Sequence, residues 1–199
     1  GVTHHGVFDM AAFGAVPGLT IAAPMNEPEL RNMMYTALGS GHPFMIRYPR
    51  GHGEGLPWRG EKFETLPVGR GRRLREGADV ALLTVGTVGN AAARAAGRAA
   101  AEGVSVAHYD LRFVKPLDEA LLDEVGRKFR RVVTVEDGSL RGGVGEAVAA
   151  FFNGRGYDVR VQRLGIGDEW VEHGTPGQLY ALCGYDEEGI LRALLDTRA

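Results

Sequence analysis

The sequence lacks the features that mark several classes of protein. A single cysteine, Cys183, in 199 residues excludes an internal disulfide framework and favours a reducing compartment such as the cytoplasm. No apolar run approaches the roughly 20 residues that a membrane-spanning helix needs, and no signal peptide is visible, so no membrane association is expected. The formal net charge of −2 gives no basic excess, so we expect no nucleic-acid partner. The composition is that of a globular protein with one large or two small domains.

Several catalytic and binding motifs are also missing. His4 and His5 are adjacent and no cysteine or acidic residue follows at ligand spacing, so the sequence predicts no metal site. No Gly-x-Ser-x-Gly nucleophile elbow occurs. The Gly142–Gly145 turn invites a nucleotide-binding interpretation, but it has neither dinucleotide nor P-loop spacing and it follows two acids, Glu136 and Asp137. Close packing of a helix on a strand is the favoured interpretation, with a nucleotide site as the alternative.

The first fifty residues predict a strand–helix–strand unit. Residues 19–22 and 44–48 are short apolar runs, and Asn26 with Glu29 forms a capping-box pattern at the start of the helix between them. The helix is expected to bury one apolar face, formed by Leu30, Met33, Met34, Ala37 and Leu38. Two parallel strands and one helix cannot cover a sheet, so we expect the rest of it upstream of Gly1 or on another molecule, and the chain to be a fragment.

A Gly-rich stretch at 51–67 without hydrophobic period predicts a linker, and a second domain at 68–199 follows it. Four arginines at 70–75 favour a charged edge strand over an anion site. Strands at 80–85, 104–109, 132–135 and 159–164 alternate with helices at 90–101, after Pro116, after Gly145 and at 187–195. This alternation predicts an α/β fold with a mainly parallel sheet.

Two sites could carry chemistry. Arg47 and Arg50 flank a Tyr-Pro step at the end of a predicted strand, where ligands of open α/β sheets bind, and arginine suits phosphate or carboxylate. The alternative is two surface arginines before a linker. His4, in a loop beside a glycine turn, could transfer protons near neutral pH, or it could be a structural residue. The loop from Asp168 to His173 is polar and aromatic, and it could face a domain interface.

Five separated motifs, in order, resemble the 1-deoxy-D-xylulose-5-phosphate synthase family over essentially the whole chain. They are Thr3-His4-His5-Gly6-Val7-Phe8-Asp9, Ile21-Ala22-Ala23-Pro24, Ile46-Arg47-Tyr48-Pro49-Arg50-Gly51, Arg112-Phe113-Val114-Lys115-Pro116-Leu117-Asp118, and Val135-Glu136-Asp137 with Gly142-Gly143. The resemblance implies the C-terminal part of such an enzyme. That part comprises the end of a pyrimidine-binding domain at 1–50, a partial parallel sheet, and a transketolase C-terminal-like domain at 68–199.

The resemblance further implies a function and its residues. The family is bacterial or plastid and uses thiamine diphosphate with Mg²⁺ to condense pyruvate with D-glyceraldehyde 3-phosphate, releasing CO₂, in isoprenoid and thiamine synthesis. His4 matches the histidine that contacts the reacting substrate, and Arg50 matches the arginine that binds the acceptor phosphate. His5 stands where many relatives carry Gln or Asn. The diphosphate and Mg²⁺ motif and the activating glutamate have no counterpart, so this chain is expected to bind no cofactor alone and to be inactive.

Other interpretations remain open. The β subunit of a 2-oxo-acid dehydrogenase shares the two-domain layout, but the second arginine of Arg-Tyr-Pro-Arg fits a sugar-phosphate substrate better. A non-catalytic dimerisation module is an alternative from another class. For the intact enzyme, the resemblance implies a cytoplasmic homodimer.

Overall fold

A computed structural model describes residues 4–60 and 62–196. Gly1 to Thr3, Glu61 and Thr197 to Ala199 lie outside the described residues. They belong to the predicted first domain, the linker and the second domain, and Thr3 is the first residue of the first motif. The helices are α1 (Asp9–Gly14), α2 (Glu27–Gly39), α3 (Val88–Ala101), α4 (Glu119–Lys128), α5 (Val144–Gly154), α6 (Pro176–Leu182) and α7 (Glu187–Leu195). The strands are β1 (Thr20–Ala22), β2 (Phe44–Ile46), β3 (Arg72–Arg75), β4 (Val80–Val85), β5 (Val106–Asp110), β6 (Phe113–Lys115), β7 (Arg131–Ser139) and β8 (Arg160–Ile166).

The strands form two sheets, which confirms the predicted α/β class. The first sheet has the order β2-β1-β6, with β1 and β2 parallel as predicted. Its third strand, β6, is antiparallel to β1 and comes from the predicted second domain. We expected the rest of this sheet to lie upstream or on another molecule, and this expectation missed β6. A short strand that pairs with a partner about ninety residues away leaves no local signal in the sequence.

The second sheet has the order β3-β5-β4-β7-β8 and contains the main core. Its four strands β5, β4, β7 and β8 are parallel, and β3 pairs antiparallel with β5 at the edge, as expected for the arginine-rich stretch. The central strand β4 is completely buried, with α3 and α7 on one face and α4 and α5 on the other. Each fully buried aliphatic side chain of this strand contributes about 1.5–3 kcal/mol.

The buried face of α2 is not the predicted apolar one. Met33 is buried, but Met34 is 56% and Leu38 is 89% exposed. The helix instead buries Glu29, Asn32, Met33 and Thr36. These polar groups tolerate burial because each has partners: for example, the Thr36 hydroxyl donates to the Asn32 carbonyl at 2.7 Å and accepts the Leu66 N–H at 2.8 Å. Hydrogen bonding to the linker outweighs apolar periodicity here.

Glu29 connects α2 to the second sheet. Its carboxylate accepts two hydrogen bonds from Arg112, at 2.7 and 2.8 Å, and pairs with Arg72 at 2.9 Å. Arg72 also pairs with Asp110 at 3.1 Å. Asn26 caps the Glu29 N–H at 3.1 Å as predicted, but Glu29 does not complete the capping box, because its side chain turns to the arginines. A fork-shaped charged contact therefore holds the two sheets together.

Other departures lie at helix starts. The helix predicted from Pro116 begins only at Glu119, because Asp118 is the N-cap and accepts the Leu121 N–H at 3.1 Å. Asp118 also accepts the Gly71 N–H, so the cap fixes the chain that leads into β3. The short helices α1 and α6 were not predicted; α6 carries a complete capping box between Thr175 and Gln178.

Removing the charge of Glu29 should weaken the junction between the sheets. Glu29→Gln leaves the guanidinium of Arg112 without its ionic partner in a mostly buried position, and loss of one member of such a pair typically costs about 3 kcal/mol or more. We expect a fall of that size in the free energy of unfolding, measured by urea titration. Asp158→Asn is the control, since the Asp158–Arg130 pair is exposed on both sides and should contribute less than about 1 kcal/mol. Equal effects of the two substitutions would contradict this role.

Candidate functional site

A cavity of about 370 Å³ lies where the first sheet meets the second, and it collects the predicted site residues. Its lining includes His4 from the N-terminal loop and Arg47 and Arg50 from the segment after β2. Asp137, near the end of β7, and Tyr180, in α6, line it from the other side. We call this space the first cavity. Arg47 and Asp137 approach it from the carboxyl ends of parallel strands, where ligands of α/β folds commonly bind.

Arg47 is a buried junction between the two sheets. Its guanidinium pairs with Asp137 at 3.1 Å and Asp9 at 3.3 Å, and it donates to the Asp137 backbone carbonyl at 2.6 Å. Burial acts to lower the pKa of Arg47, but the charges of Asp137 and Asp9 outweigh it and raise the pKa. Arg47 is therefore permanently charged and engaged, as expected for a structural or interface residue.

Two tyrosines complete the environment of Asp137. The Tyr185 hydroxyl donates to one carboxylate oxygen at 2.9 Å, and the Tyr180 hydroxyl donates to the other at 3.4 Å. Burial, followed by the negative charge of Asp137, raises the pKa of Tyr180 to about 12, and the same two causes raise the pKa of Tyr185. Both hydroxyls thus stay protonated and available as donors near neutral pH. In the sequence, Asp137 was noted as part of the fifth motif and as one of two acids before the Gly142–Gly145 turn, with no role in a site, and the tyrosines carried no signal.

Arg50 differs from Arg47 in being exposed. Within the described part of the chain its guanidinium makes no hydrogen bond or ion pair, and it borders both the first cavity and a second one of about 560 Å³. The second cavity lies between the start of α2, the start of α3 and the Gly-rich stretch. Arg50 is thus a cation without a competing internal anion, which is what an external anion requires.

The Gly-rich stretch after Arg50 is held by Glu27. The Gly55 N–H donates to the Glu27 carboxylate at 2.7 Å, and the carboxylate lies so close to Gly53 that a Cβ there would overlap it. Hydrogen bonds from backbone N–H groups, first its own and then those of the stretch, lower the pKa of Glu27. The glycines of the predicted linker therefore have a structural role, because they allow the backbone to pass close around the Glu27 carboxylate.

The N-terminal loop brings His4 to the cavity. His4 is exposed and lines the first cavity ahead of α1. The His5 ring lies 6.3 Å from Phe8 and 6.4 Å from Trp170, measured between centroids. The predicted interface loop thus contacts the N-terminal segment through Trp170. This aromatic cluster supports the loop that carries His4, and it gives His5 a packing role.

The Gly142–Gly145 turn does not bind a nucleotide through its helix N-terminus. The Glu136 carboxylate, which is almost fully buried, already accepts the N–H groups of Val144 and Gly145, each at 2.8 Å. A Cβ on Gly145 would lie 2.5 Å from the Thr134 hydroxyl oxygen. Burial raises the pKa of Glu136, against the lowering effect of those two hydrogen bonds. Close packing is therefore the correct interpretation, and the turn is closed to phosphate by an internal carboxylate.

Residues 4–60 and 62–196 contain neither a grouped set of metal ligands nor a membrane-spanning helix. In this part of the chain no three His, Cys, Asp or Glu side chains are grouped so that they could hold a metal ion. None of the helices described there is long and apolar enough to cross a membrane.

Two family models match the chain. A model described as "Transketolase, pyrimidine binding domain" matches residues 1–54, and one described as "Transketolase, C-terminal domain" matches residues 69–190. A solved structure titled "Split gene transketolase, inactive beta4 tetramer" superposes with a TM-score of 0.85 at 28% identity, over 98% of this chain and 62% of that one.

Curated relatives carry the name that the motifs indicated. The 1-deoxy-D-xylulose-5-phosphate synthase of Bacteroides fragilis is 55% identical over 200 residues, and that of Symbiobacterium thermophilum is 44% identical over 190 residues. The chain covers 31% and 29% of the lengths of these two relatives. The resemblance read from five motifs is confirmed over the whole chain. The chain belongs to the transketolase family and is similar to the C-terminal part of its 1-deoxy-D-xylulose-5-phosphate synthases.

Proposed function

We propose that this chain forms the substrate-binding C-terminal part of a thiamine diphosphate-dependent transferase. The reaction is the condensation of pyruvate with D-glyceraldehyde 3-phosphate to 1-deoxy-D-xylulose 5-phosphate with loss of CO₂, an entry to isoprenoid and thiamine synthesis. The motif order and the names of the bacterial relatives support this reaction. A cytoplasmic location and a homodimeric intact enzyme belong to the same proposal.

The observation that carries the proposal is that Arg50 and His4 line the same cavity. An arginine whose guanidinium is unoccupied suits a phosphate dianion, and Arg50 has no ionic partner among the described residues. A reacting carbonyl needs a group that can donate or accept a proton, and the exposed His4 lines the same cavity. Arg50 would orient the acceptor through its phosphate while His4 contacts the atoms that react.

Thiamine diphosphate supplies the carbanion chemistry when bound. The residues described here do not fit its Mg²⁺-bound diphosphate, since no three His, Cys, Asp or Glu side chains are grouped among them to hold a metal ion. The role proposed for this chain is therefore limited to acceptor binding, orientation and proton transfer by its own side chains.

The alternatives are less well supported. A β subunit of a 2-oxo-acid dehydrogenase has no need for the unpaired Arg50, because its substrate brings no phosphate. A dimerisation module would not explain why an exposed arginine and a histidine share a cavity that is otherwise held by a buried ion-pair network. Substrate binding by this chain is compatible with a further role in subunit assembly. The transketolase neighbour is itself described as a tetramer.

Arg50 is the sharpest test of this function. Arg50→Ala in the full-length enzyme should raise KM for glyceraldehyde 3-phosphate about ten- to a hundredfold, because a charged hydrogen bond contributes about 1.5–3 kcal/mol. KM for pyruvate, which has no phosphate, should change little. Steady-state kinetics with each substrate varied in turn gives both values. Arg47→Ala is the comparison: it breaks a largely buried ion pair, so it should reduce stability and raise KM for glyceraldehyde 3-phosphate less than Arg50→Ala does. Equal changes in both KM values for Arg50→Ala, or a selective loss only for Arg47→Ala, would refute the phosphate assignment.

His4 should act on the chemical step. His4→Ala in the full-length enzyme should lower kcat by about 10²–10⁴, the usual contribution of a positioned acid–base group. His5→Ala is the matched neighbour and should affect mainly stability, through loss of its contacts with Phe8 and Trp170. An unchanged kcat together with a lower melting temperature in His4→Ala would identify His4 as structural.

The 199 residues by themselves should be inactive. We expect no pyruvate decarboxylation and no tight binding of thiamine diphosphate, because the diphosphate and Mg²⁺ motif of the family has no counterpart in this sequence. Isothermal titration with Mg²⁺ and thiamine diphosphate measures this, and the full-length enzyme is the positive control. Micromolar affinity in the isolated chain would contradict the prediction. The "inactive" assembly of the split transketolase, 28% identical, supports this expectation.

A further inference from the structure

Asp137 receives contacts from several sides of the first cavity at once. Its carboxylate accepts the hydroxyls of Tyr185 and Tyr180, at 2.9 and 3.4 Å, and pairs with Arg47 at 3.1 Å. Its backbone carbonyl accepts a second guanidinium hydrogen of Arg47 at 2.6 Å. The side chains of Asp137 and Arg47 are only 9% and 10% exposed. A buried carboxylate with this many charged and neutral donors holds its partners in a narrow range of positions.

Arg47 transmits this constraint to both candidate site residues. Its Nε contacts Asp9 at 3.3 Å, and Asp9 begins α1 five residues after His4. Its backbone N–H donates to the Ala22 carbonyl at 2.8 Å, which extends the pairing of β2 with β1. Arg50 follows three residues later. The position of Arg47 therefore sets where the chain leaves the sheet toward Arg50.

Arg50 itself contributes nothing that would fix its position. Among the described residues it has no polar partner, so its placement depends on the backbone on either side. On the downstream side the Glu27–Gly55 hydrogen bond at 2.7 Å holds the Gly-rich stretch. On the upstream side the anchor is Arg47, and Asp137 holds Arg47. Pro49 stiffens the short connection between that anchor and Arg50.

We propose that Asp137 is a positioning residue for the phosphate-binding arginine, acting through Arg47. The second sheet then determines where the acceptor phosphate binds, although it supplies no group that contacts the phosphate. The identity of the bound phosphate in this inference rests on the proposed function. The structural part, that Asp137 fixes the segment from Arg47 to Arg50, does not depend on it.

Amide hydrogen exchange on the 199-residue chain tests the physical content. Asp137→Asn keeps the size of the side chain but removes its charge, so the end of β2 should open more often. We expect the Arg47 amide to exchange about tenfold faster, the change that corresponds to one weakened charged contact. The Thr20 amide, which donates to the Pro43 carbonyl at 3.0 Å at the other end of the same strand pair, is the internal control. An unchanged rate at Arg47 overturns the proposal.

Kinetics of the full-length enzyme tests the functional consequence. Asp137→Asn should raise KM for glyceraldehyde 3-phosphate about tenfold and leave KM for pyruvate within about twofold. Tyr185→Phe, which removes one donor and keeps the charge, should have a smaller effect in the same direction. If Asp137 acts through Arg50, the double variant Asp137→Asn/Arg50→Ala should be no worse than Arg50→Ala alone. Additive losses, or an equal rise in both KM values, would overturn the positioning role.

The two failures can be told apart. If Arg50→Ala selectively raises KM for glyceraldehyde 3-phosphate and Asp137→Asn does not, the positioning inference is wrong and the proposed function stands. If Arg50→Ala has no selective effect, the proposed function has failed, and the exchange rate of the Arg47 amide alone decides whether Asp137 holds this segment.

Discussion

The ion pair between Arg47 and Asp137 is the contact on which the site depends. It joins the residue that follows β2 to the end of β7, so the ends of two strands from different sheets meet at one buried charge. Desolvation makes such a pair expensive to form, and the remaining donors and acceptors must be satisfied. Asp9 and the two tyrosine hydroxyls provide that satisfaction. The pair therefore fixes geometry at the site more than it adds to stability.

A second charged junction lies on another side of the same interface. Glu29 is held by Arg112 and Arg72, and β6 adds its short strand to the first sheet directly after Arg112. Arg112 adopts a left-handed backbone conformation with φ of 58°, uncommon for a residue with a side chain, and its N–H is bound by Asp110 at 3.0 Å. Two polar junctions thus orient the first sheet on the second, and the cavity with His4 and Arg50 opens beside one of them.

Carboxylates within this chain have contrasting uses. Glu136 and Glu27 close two groups of backbone N–H donors that could otherwise attract anions, one at the start of α5 and one in the Gly-rich stretch. Asp137 neutralises Arg47 in the same way. Arg50 is left without such a partner among the described residues. Among the described residues, Arg50 is therefore left able to bind an external phosphate.

Much of the fold follows from the sequence because its signals are local. The strand at Val80–Val85 and the helix at Glu187–Leu195 have the predicted bounds, since a continuous apolar run and an N-terminal cap act within a few residues. The face of α2 was predicted wrongly because Glu29 and Thr36 find partners that are distant in sequence. The same distance hid β6, whose partner strand lies about ninety residues earlier.

The sequence by itself determined the family, the α/β class, and which residues are chemically able to bind phosphate or transfer a proton. Through the resemblance it assigned phosphate binding to Arg50, but residue spacing alone left both arginines as possible anion ligands or surface residues. Only the tertiary structure decided that one arginine is buried against Asp137 and the other is exposed in a cavity with His4. The reason is physical: the charge environment of a side chain is set by groups that folding brings together, and residue spacing does not encode them.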